Sequence, residues 1–296
     1  MAGTSTHPRI PSKRPIRIVT DSAARIPLEW AKQNNVIVLP HTLMLNGQAF
    51  REDIDLTQAE LADKVPSLQE PFSVLPPSID DFLAVYRQLA DEKVEVISLH
   101  ISAALNDTVK HAIRAREEFW GRSDIHIIDS RTIALGLGKL VRAAVTLAQR
   151  TSDAETIVKQ LRGLMQHIYG IFISDDMSYL EHSGRLRPAQ STLGKMLDII
   201  PCLSLEEGDL VAVEKVRSPE RAIEKLTEFS TEFEATAAFA VLQLLPAHTE
   251  RTMALIESMQ LAFPGMKDIP VESCGAQVGS IIGPGGVGIM IYEGKL

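Results

Sequence analysis

Residues 94–115 read VEVISLHISAALNDTVKHAIRA. The first nine, to Ser102, form an apolar, β-branched run of the kind that fills a strand buried on both faces. From Asp107 onward the pattern becomes helical. Three polar residues, Asn106, Asp107 and Thr108, stand at the joint. A buried strand entering a helix through a short polar turn is the building unit of a parallel α/β sheet. Asn, Asp and Thr are preferred helix caps, so the triplet can satisfy orphan amides and nothing more. The same triplet at the carboxyl end of a strand can also face a ligand.

The unit repeats through the first half of the chain. IRIVT (16–20) is followed by the helix pattern IPLEWAKQNN, and VIVLPHTLMLNG reads as one or two strands. TQAELADKV and SIDDFLAVYRQLADE read as helices, each opened by a capping Thr or Ser. DIHIIDS is a strand and LGKLVRAAVTLAQR a helix. This alternation predicts a mainly parallel sheet with helices on both faces over residues 15–151.

From Ser152 the style changes. IYGIFIS is a strand, and CLSLEEGDLVAVEKV is a hairpin turning at Glu206–Asp209. A helix, the strand AAFAVLQLL, a second helix and the terminal strands IPVES and VGIMIY follow. Residues 152–296 are expected to form a smaller α+β second domain.

Composition narrows the function. The chain has 296 residues, 45% of them hydrophobic, enough for a large core. A net charge of -8 argues against broad nucleic-acid or anionic-membrane binding. Residues 1–14 hold the basic stretch HPRIPSKRPIR and are expected to be a disordered tail. No apolar run reaches the roughly 18–20 residues of a membrane span, and no secretory signal is expected. Cys202 and Cys274 lack CxxC spacing, which suits a reducing cytoplasm.

Three strand ends of the first half are polar: Asp21-Ser22, Asn106-Asp107-Thr108 and Asp129-Ser130. Parallel strands bring such ends to one edge, where an open α/β sheet binds ligands. GPGGVG (283–288) fits the dinucleotide spacing, but it enters a strand and the fingerprint must open a helix. LGLGKL lacks the residues of a phosphate loop, and no Cys/His metal spacing occurs. His100 and His126 sit inside apolar runs and read as core histidines, while Arg185 in EHSGRL reads as a turn residue between a strand and a helix.

Five of these segments occur together in one order: IVTDSAARIP, ISAALNDTVKHA, IHIIDS, YLEHSGRL and GPGGVGI. In order and spacing they resemble the DegV family over nearly the whole chain beyond the basic tail. The resemblance implies an α/β domain and a smaller α+β domain that hold a long-chain fatty acid between them. It also implies a likeness to the binding subunits of bacterial fatty-acid kinase systems, which present the acid to a separate kinase and do no chemistry alone. By position Asp21 and Ser22 match the family's first motif, Asp129 and Ser130 its second, and Gly184-Arg185 its turn. Arg185 is expected at the rim of the site, serving a partner or a phosphorylated head group.

The resemblance also places the residues that hold the carboxylate, and here the chain departs from it. The family's Thr-Ser pair is Val74-Leu75, its Ser-Gly is Asn106-Asp107 before the retained Thr108, and its His is Ile281. A wall of Val74, Asn106 and Ile281 offers few donors, and a carboxylate buried without partners is costly. Asp107 is expected to repel it further, by roughly 4 kcal/mol at about 4 Å and an effective dielectric near 20. Asn106 can still donate an amide N–H to a neutral oxygen.

Three functions remain open at this level. One is a cytoplasmic, non-enzymatic lipid carrier without cofactor or metal, binding a fatty acid or an amphiphile with another head group. The second is an enzyme using Asp21, Asp107 and Asp129 for acid–base or metal work. The third is a scaffold whose tunnel has closed.

Overall fold

The computed structural model describes residues 14–233, 238–266 and 268–293. Of the expected basic tail only Arg14 falls within them, paired with Asp124 at 3.2 Å; the rest lies outside the described residues.

The chain begins with β1 (Ile16–Asp21), α1 (Leu28–Gln33), β2 (Val36–Leu39), β3 (Thr42–Leu45), β4 (Gln48–Arg51) and α2 (Gln58–Lys64). It continues through β5 (Ser73–Leu75), α3 (Ile79–Asp91), β6 (Glu95–His100), α4 (Thr108–Arg116), β7 (Ile125–Asp129) and α5 (Ala134–Arg150). Four of these strands form a wholly parallel sheet in the order β2-β1-β6-β7. The period of two divides its side chains cleanly. Val19, Val96 and Ile125 pack under α3 and α4 with Phe82, Tyr86 and Ala112. Ile18, Ile97, Leu99 and Ile128 lie on the opposite face, where α5 packs on β1 and α6 on β6 and β7.

The second part runs α6 (Ala154–Met165), β8 (Ile168–Ile173), α7 (Met177–His182), α8 (Pro188–Met196), β9 (Ile200–Glu206), β10 (Asp209–Val216) and α9 (Pro219–Ser230). It ends with β11 (Ala238–Gln243), α10 (Glu250–Ala262), β12 (Val271–Ser273), α11 (Gly275–Ile282) and β13 (Val287–Tyr292). Its six-stranded sheet has the order β10-β9-β8-β13-β11-β12 and is antiparallel except at β11–β12. The β9–β10 hairpin turns at Glu207 and Gly208, both at positive φ. α9 and α10 cover one face of this sheet through Leu226, Leu255 and Met259.

α5 is the layer both sheets share. It packs on β1 from one side and on β13 from the other, inside one continuous apolar cluster. The glycines of LGLGKL explain how. A Cβ on Gly138 would stand 2.5 Å from the Ala24 carbonyl oxygen, and one on Gly136 would stand 2.7 Å from Met290 and 2.8 Å from Ile168. One glycine meets the turn that follows β1 and the other the second sheet, so the motif serves close packing.

Two features depart from the sequence reading. VIVLPHTLMLNG is two strands in different sheets, because β3 leaves the parallel sheet and pairs with β4 and β5 in a small antiparallel one. EHSGRL ends α7 and leads toward α8 rather than following a strand. Both cysteines are free and buried.

Gly138→Ala should destabilise the protein, since the Ala24 backbone cannot step aside. Overpacking of about 1–3 kcal/mol exceeds the helix-propensity gain of about 1 kcal/mol. Gly163→Ala on α6, where a Cβ meets nothing within 4 Å, should hold or raise the melting temperature. Thermal unfolding of both variants checks this contrast.

Candidate functional site

The parallel sheet changes direction beside β1: β2 lies on one side and β6 on the other. The crevice at such a switch point lies outside the carboxyl ends of the strands. β1 ends there in Asp21 and β6 in His100. Asp21 is fully buried. Its Oδ1 accepts from Ala23 N–H at 3.1 Å, capping the turn that follows β1. Its Oδ2 accepts from Ile101 N–H at 3.0 Å and lies 2.9 Å from His100 Nδ1. Burial pushes the Asp21 carboxyl upward, but the His100 hydrogen bond, the His41 and His100 charges and the Ile101 amide pull it below its ordinary value.

Ser22 starts a second branch. Its hydroxyl donates to Glu52 Oε2 at 2.6 Å, accepts His41 N–H at 2.9 Å and lies 2.9 Å from His41 Nδ1. His41 Nε2 reaches Thr108 Oγ1 at 3.2 Å. Thr108 donates twice to Asn106 Oδ1, from its amide at 2.8 Å and its hydroxyl at 2.5 Å. Asn106 Nδ2 then donates to Gln277 Oε1 at 2.9 Å. The branch thus leaves the parallel sheet and ends on α11, in the second part of the chain. Glu52 crosses the same seam, since its Oε1 accepts from Ala276 N–H and from Arg25, each at 3.4 Å. Arg25 also holds Asp53 at 2.8 Å.

The opening triplet is therefore both a cap and a wall. Asn106 caps α4 through the Thr108 amide and also faces Gln277. Asp107 behaves otherwise. Its side chain is 61% exposed and stands 3.7 Å from Lys110. The repulsion expected of it is screened by solvent and by that lysine. The start of the helix turns consecutive side chains to different sides, and Asp107 falls on the outer one.

The other expected residues divide. Val74 is part-buried on β5, Leu75 beside it is exposed, and Ile281 is buried on α11. β5 and α11 pack together, and α11 also packs on α7. Ser73 Oγ lies 2.7 Å from His182 Nε2, and Phe72 meets Tyr179 edge-on, so β5 is tied to α7 as well. Asp129 and Ser130 spend their side chains locally. Asp129 Oδ1 accepts from the Ala103 and Arg131 amides, and Ser130 Oγ donates to Thr132 O. Arg185 is not a free rim residue: it is mostly buried and ion-paired with Asp209 at 2.8 Å. The hairpin strand β10 supplies that partner.

A cavity of about 600 Å³ opens between α7, α8 and the β9–β10 hairpin. Met177, Leu180, Leu193, Leu203 and Leu210 line it, with Arg185 and Asp209 at one side. That volume lies in the range of small-molecule sites. A second groove of about 780 Å³ runs between α4, β7 and α6, and Asp129, Arg131 and Arg162 line it together with Glu207.

Ser98, His100 and Asp21 are spaced like a hydrolytic triad: Ser98 Oγ lies 2.6 Å from His100 Nε2. All three are fully buried and Tyr86 OH lies 2.7 Å from the serine, so no substrate reaches them. Among the described residues no group of three His, Cys, Asp or Glu side chains is placed to hold a metal ion. No helix among them is long and apolar enough to cross a membrane.

Sequence reasoning missed His41, Glu52 and Gln277. Gln277 stands four residues before Ile281 and shares its face only because residues 275–282 form a helix.

Two sheets sharing one helix, with a polar seam and an apolar cavity on its far side, define a two-part α/β protein. A family model described as DegV, an uncharacterised protein family, matches residues 15–294, and the chain belongs to that family. Protein DegV of Bacillus subtilis is 28% identical over 276 residues, which is 93% of this chain and 98% of that protein. A DegV domain-containing protein of Streptomyces coelicolor is 28% identical over 279 residues, 94% of this chain and 98% of that one. The fold matches the crystal structure of a fatty acid binding DegV family protein from Streptococcus agalactiae with a TM-score of 0.83 and 25% identity, over 95% of this chain and 99% of that one. A DegV family protein from Thermus thermophilus, described by its fatty acid binding, matches at 0.78 with 28% identity, again over 95% and 99%.

The depressed Asp21 carboxyl fixes a sign. Its stabilisation is fully present above the unfolded value, near pH 4, and is lost as pH falls through the lower folded value. Asp21→Asn should therefore cost most stability at neutral pH, and the gap from the parent should narrow below about pH 4. Melting temperatures of both proteins from pH 7 to pH 3 check this. A gap independent of pH would contradict it.

Proposed function

We propose that the chain is a non-enzymatic carrier of one long-chain amphiphile, with the acyl chain in the cavity under α8 and the head group at the wall of Val74, Asn106 and Ile281. The observation that carries this reading is the apolar cavity lined by Met177, Leu180, Leu203 and Leu210 in a chain that matches fatty-acid-binding relatives over almost its whole length. α7 lines the cavity and packs on α11, which carries Ile281, so this one helix links the wall to the cavity. Two free cysteines suit a cytoplasmic location.

The sealed Ser98–His100–Asp21 cluster favours binding over catalysis. Asp129 and Ser130, committed to nearby backbone, support the site from outside it. Around the cavity, Leu193, Met196, Leu197, Val211 and Val213 are exposed. An exposed apolar patch of this kind suits a surface for handing the cargo to a separate protein, such as a fatty-acid kinase.

Organic extraction of the purified full chain, followed by mass spectrometry, tests the reading. A stoichiometric long-chain lipid is expected, and adding it back to stripped protein should raise the melting temperature, as any ligand of the folded state does. Extracts with no lipid above background, together with a melting temperature indifferent to long-chain acids, esters and amides, would contradict it.

A further inference from the structure

We infer that Asn106 and Gln277 form an amide clamp that selects a long-chain amphiphile with a neutral carbonyl head group, an ester or primary amide, over a free carboxylate. The inference rests on the carrier reading above and concerns the head group.

The orientation of the clamp follows from its hydrogen bonds. The Thr108 amide and hydroxyl both donate to one oxygen of the Asn106 side chain, which must be Oδ1. The Asn106 NH2 then faces α11, and the atom of Gln277 that it meets is the acceptor Oε1. The Gln277 NH2 is left as the free end. Gln277 is only 7% exposed, yet its Nε2 donates no hydrogen bond among the described residues. That nitrogen is not among the sealed polar atoms that lack a partner, so it opens onto accessible space, and a donor left open on an otherwise buried residue needs a reason.

Position supplies one. Gln277 stands one helical turn before Ile281 on the same face of α11, and α11 packs on β5, which carries Val74. The free donor therefore belongs to the wall whose other residues, Val74 and Ile281, are apolar. Asn106 Nδ2 retains a second N–H there, and Gln277 Oε1 a second lone pair.

Charge decides between head groups. Asp21 and Glu52 are buried behind the clamp, and Arg25 is committed to Glu52 and Asp53. His100 is held by Asp21 and Ser98, and His41 by Ser22 and Thr108. A carboxylate at the wall would meet amide donors without a countercharge, next to two buried carboxylates. A neutral carbonyl needs the donors alone.

The test uses stripped full-length protein at pH 8 and three probes of one chain length: palmitate, methyl palmitate and palmitamide. Affinities are measured by competition against a fluorescent acyl probe. The parent protein should bind methyl palmitate and palmitamide more tightly than palmitate. Gln277→Leu should weaken both neutral ligands by about five- to tenfold, the effect of one hydrogen bond, and leave palmitate unchanged. Gln277→Glu puts an acceptor where the donor was, so it should reject the ester while keeping palmitamide, which can donate to it. Ratios between ligands within one variant are read, so partial unfolding does not obscure the result. Palmitate bound as tightly as the ester, or ligand ratios that ignore both substitutions, would overturn the clamp while the carrier reading stands. Binding of none of the three by the parent would overturn both.

Discussion

One side-chain hydrogen bond, Asn106 Nδ2 to Gln277 Oε1, joins residues 171 positions apart and links the parallel sheet to α11. Behind it stands an ordered series of partners: Thr108, His41, Ser22 and Glu52, each using its neighbour to settle its own direction. Such a series is costly to bury unless every member is satisfied, because an unpaired polar group in a low dielectric loses its water for nothing. Here each polar step has a partner until Gln277 Nε2. The series ends on a donor at the wall between the two parts of the molecule, where a ligand head group can accept it.

The apolar construction makes that seam rigid. α5 packs on the turn after β1 and on the second sheet through glycines two positions apart, so the carboxyl edge of the parallel sheet and the α11 layer keep a fixed separation. The small β4-β3-β5 sheet closes the side of the crevice and delivers His41 and Glu52 from its ends. The cavity beyond α7 is then the natural place for a chain whose head group reaches Gln277.

Most of the fold was legible in the sequence because the buried strands and capped helices each carry their own period. The parallel sheet followed from strands such as Val94–Ser102 ending in polar turns, and the hairpin from Glu206–Asp209. α11 was not legible. CGAQVGSII is short and apolar on every side, so periodicity cannot separate helix from strand there, and its one glutamine carries no pattern of its own. His41 and Glu52 come from turns flanking short strands, and their partners lie far away in sequence. Asp107 and Arg185 misled for opposite reasons. Adjacency to Asn106 suggested that Asp107 shares its wall, although the helix start turns it outward. A turn position suggested that Arg185 is free, although the hairpin brings Asp209 to it.

The central claim is that the polar series across the seam ends in a head-group donor. A crystal structure of the full chain grown with palmitamide tests it most directly. The account predicts the acyl chain in the cavity lined by Met177, Leu180 and Leu203, with the ligand carbonyl about 3 Å from Gln277 Nε2. A lipid lying elsewhere, or a Gln277 amide bonded to a protein acceptor while the head group sits apart from it, would contradict it.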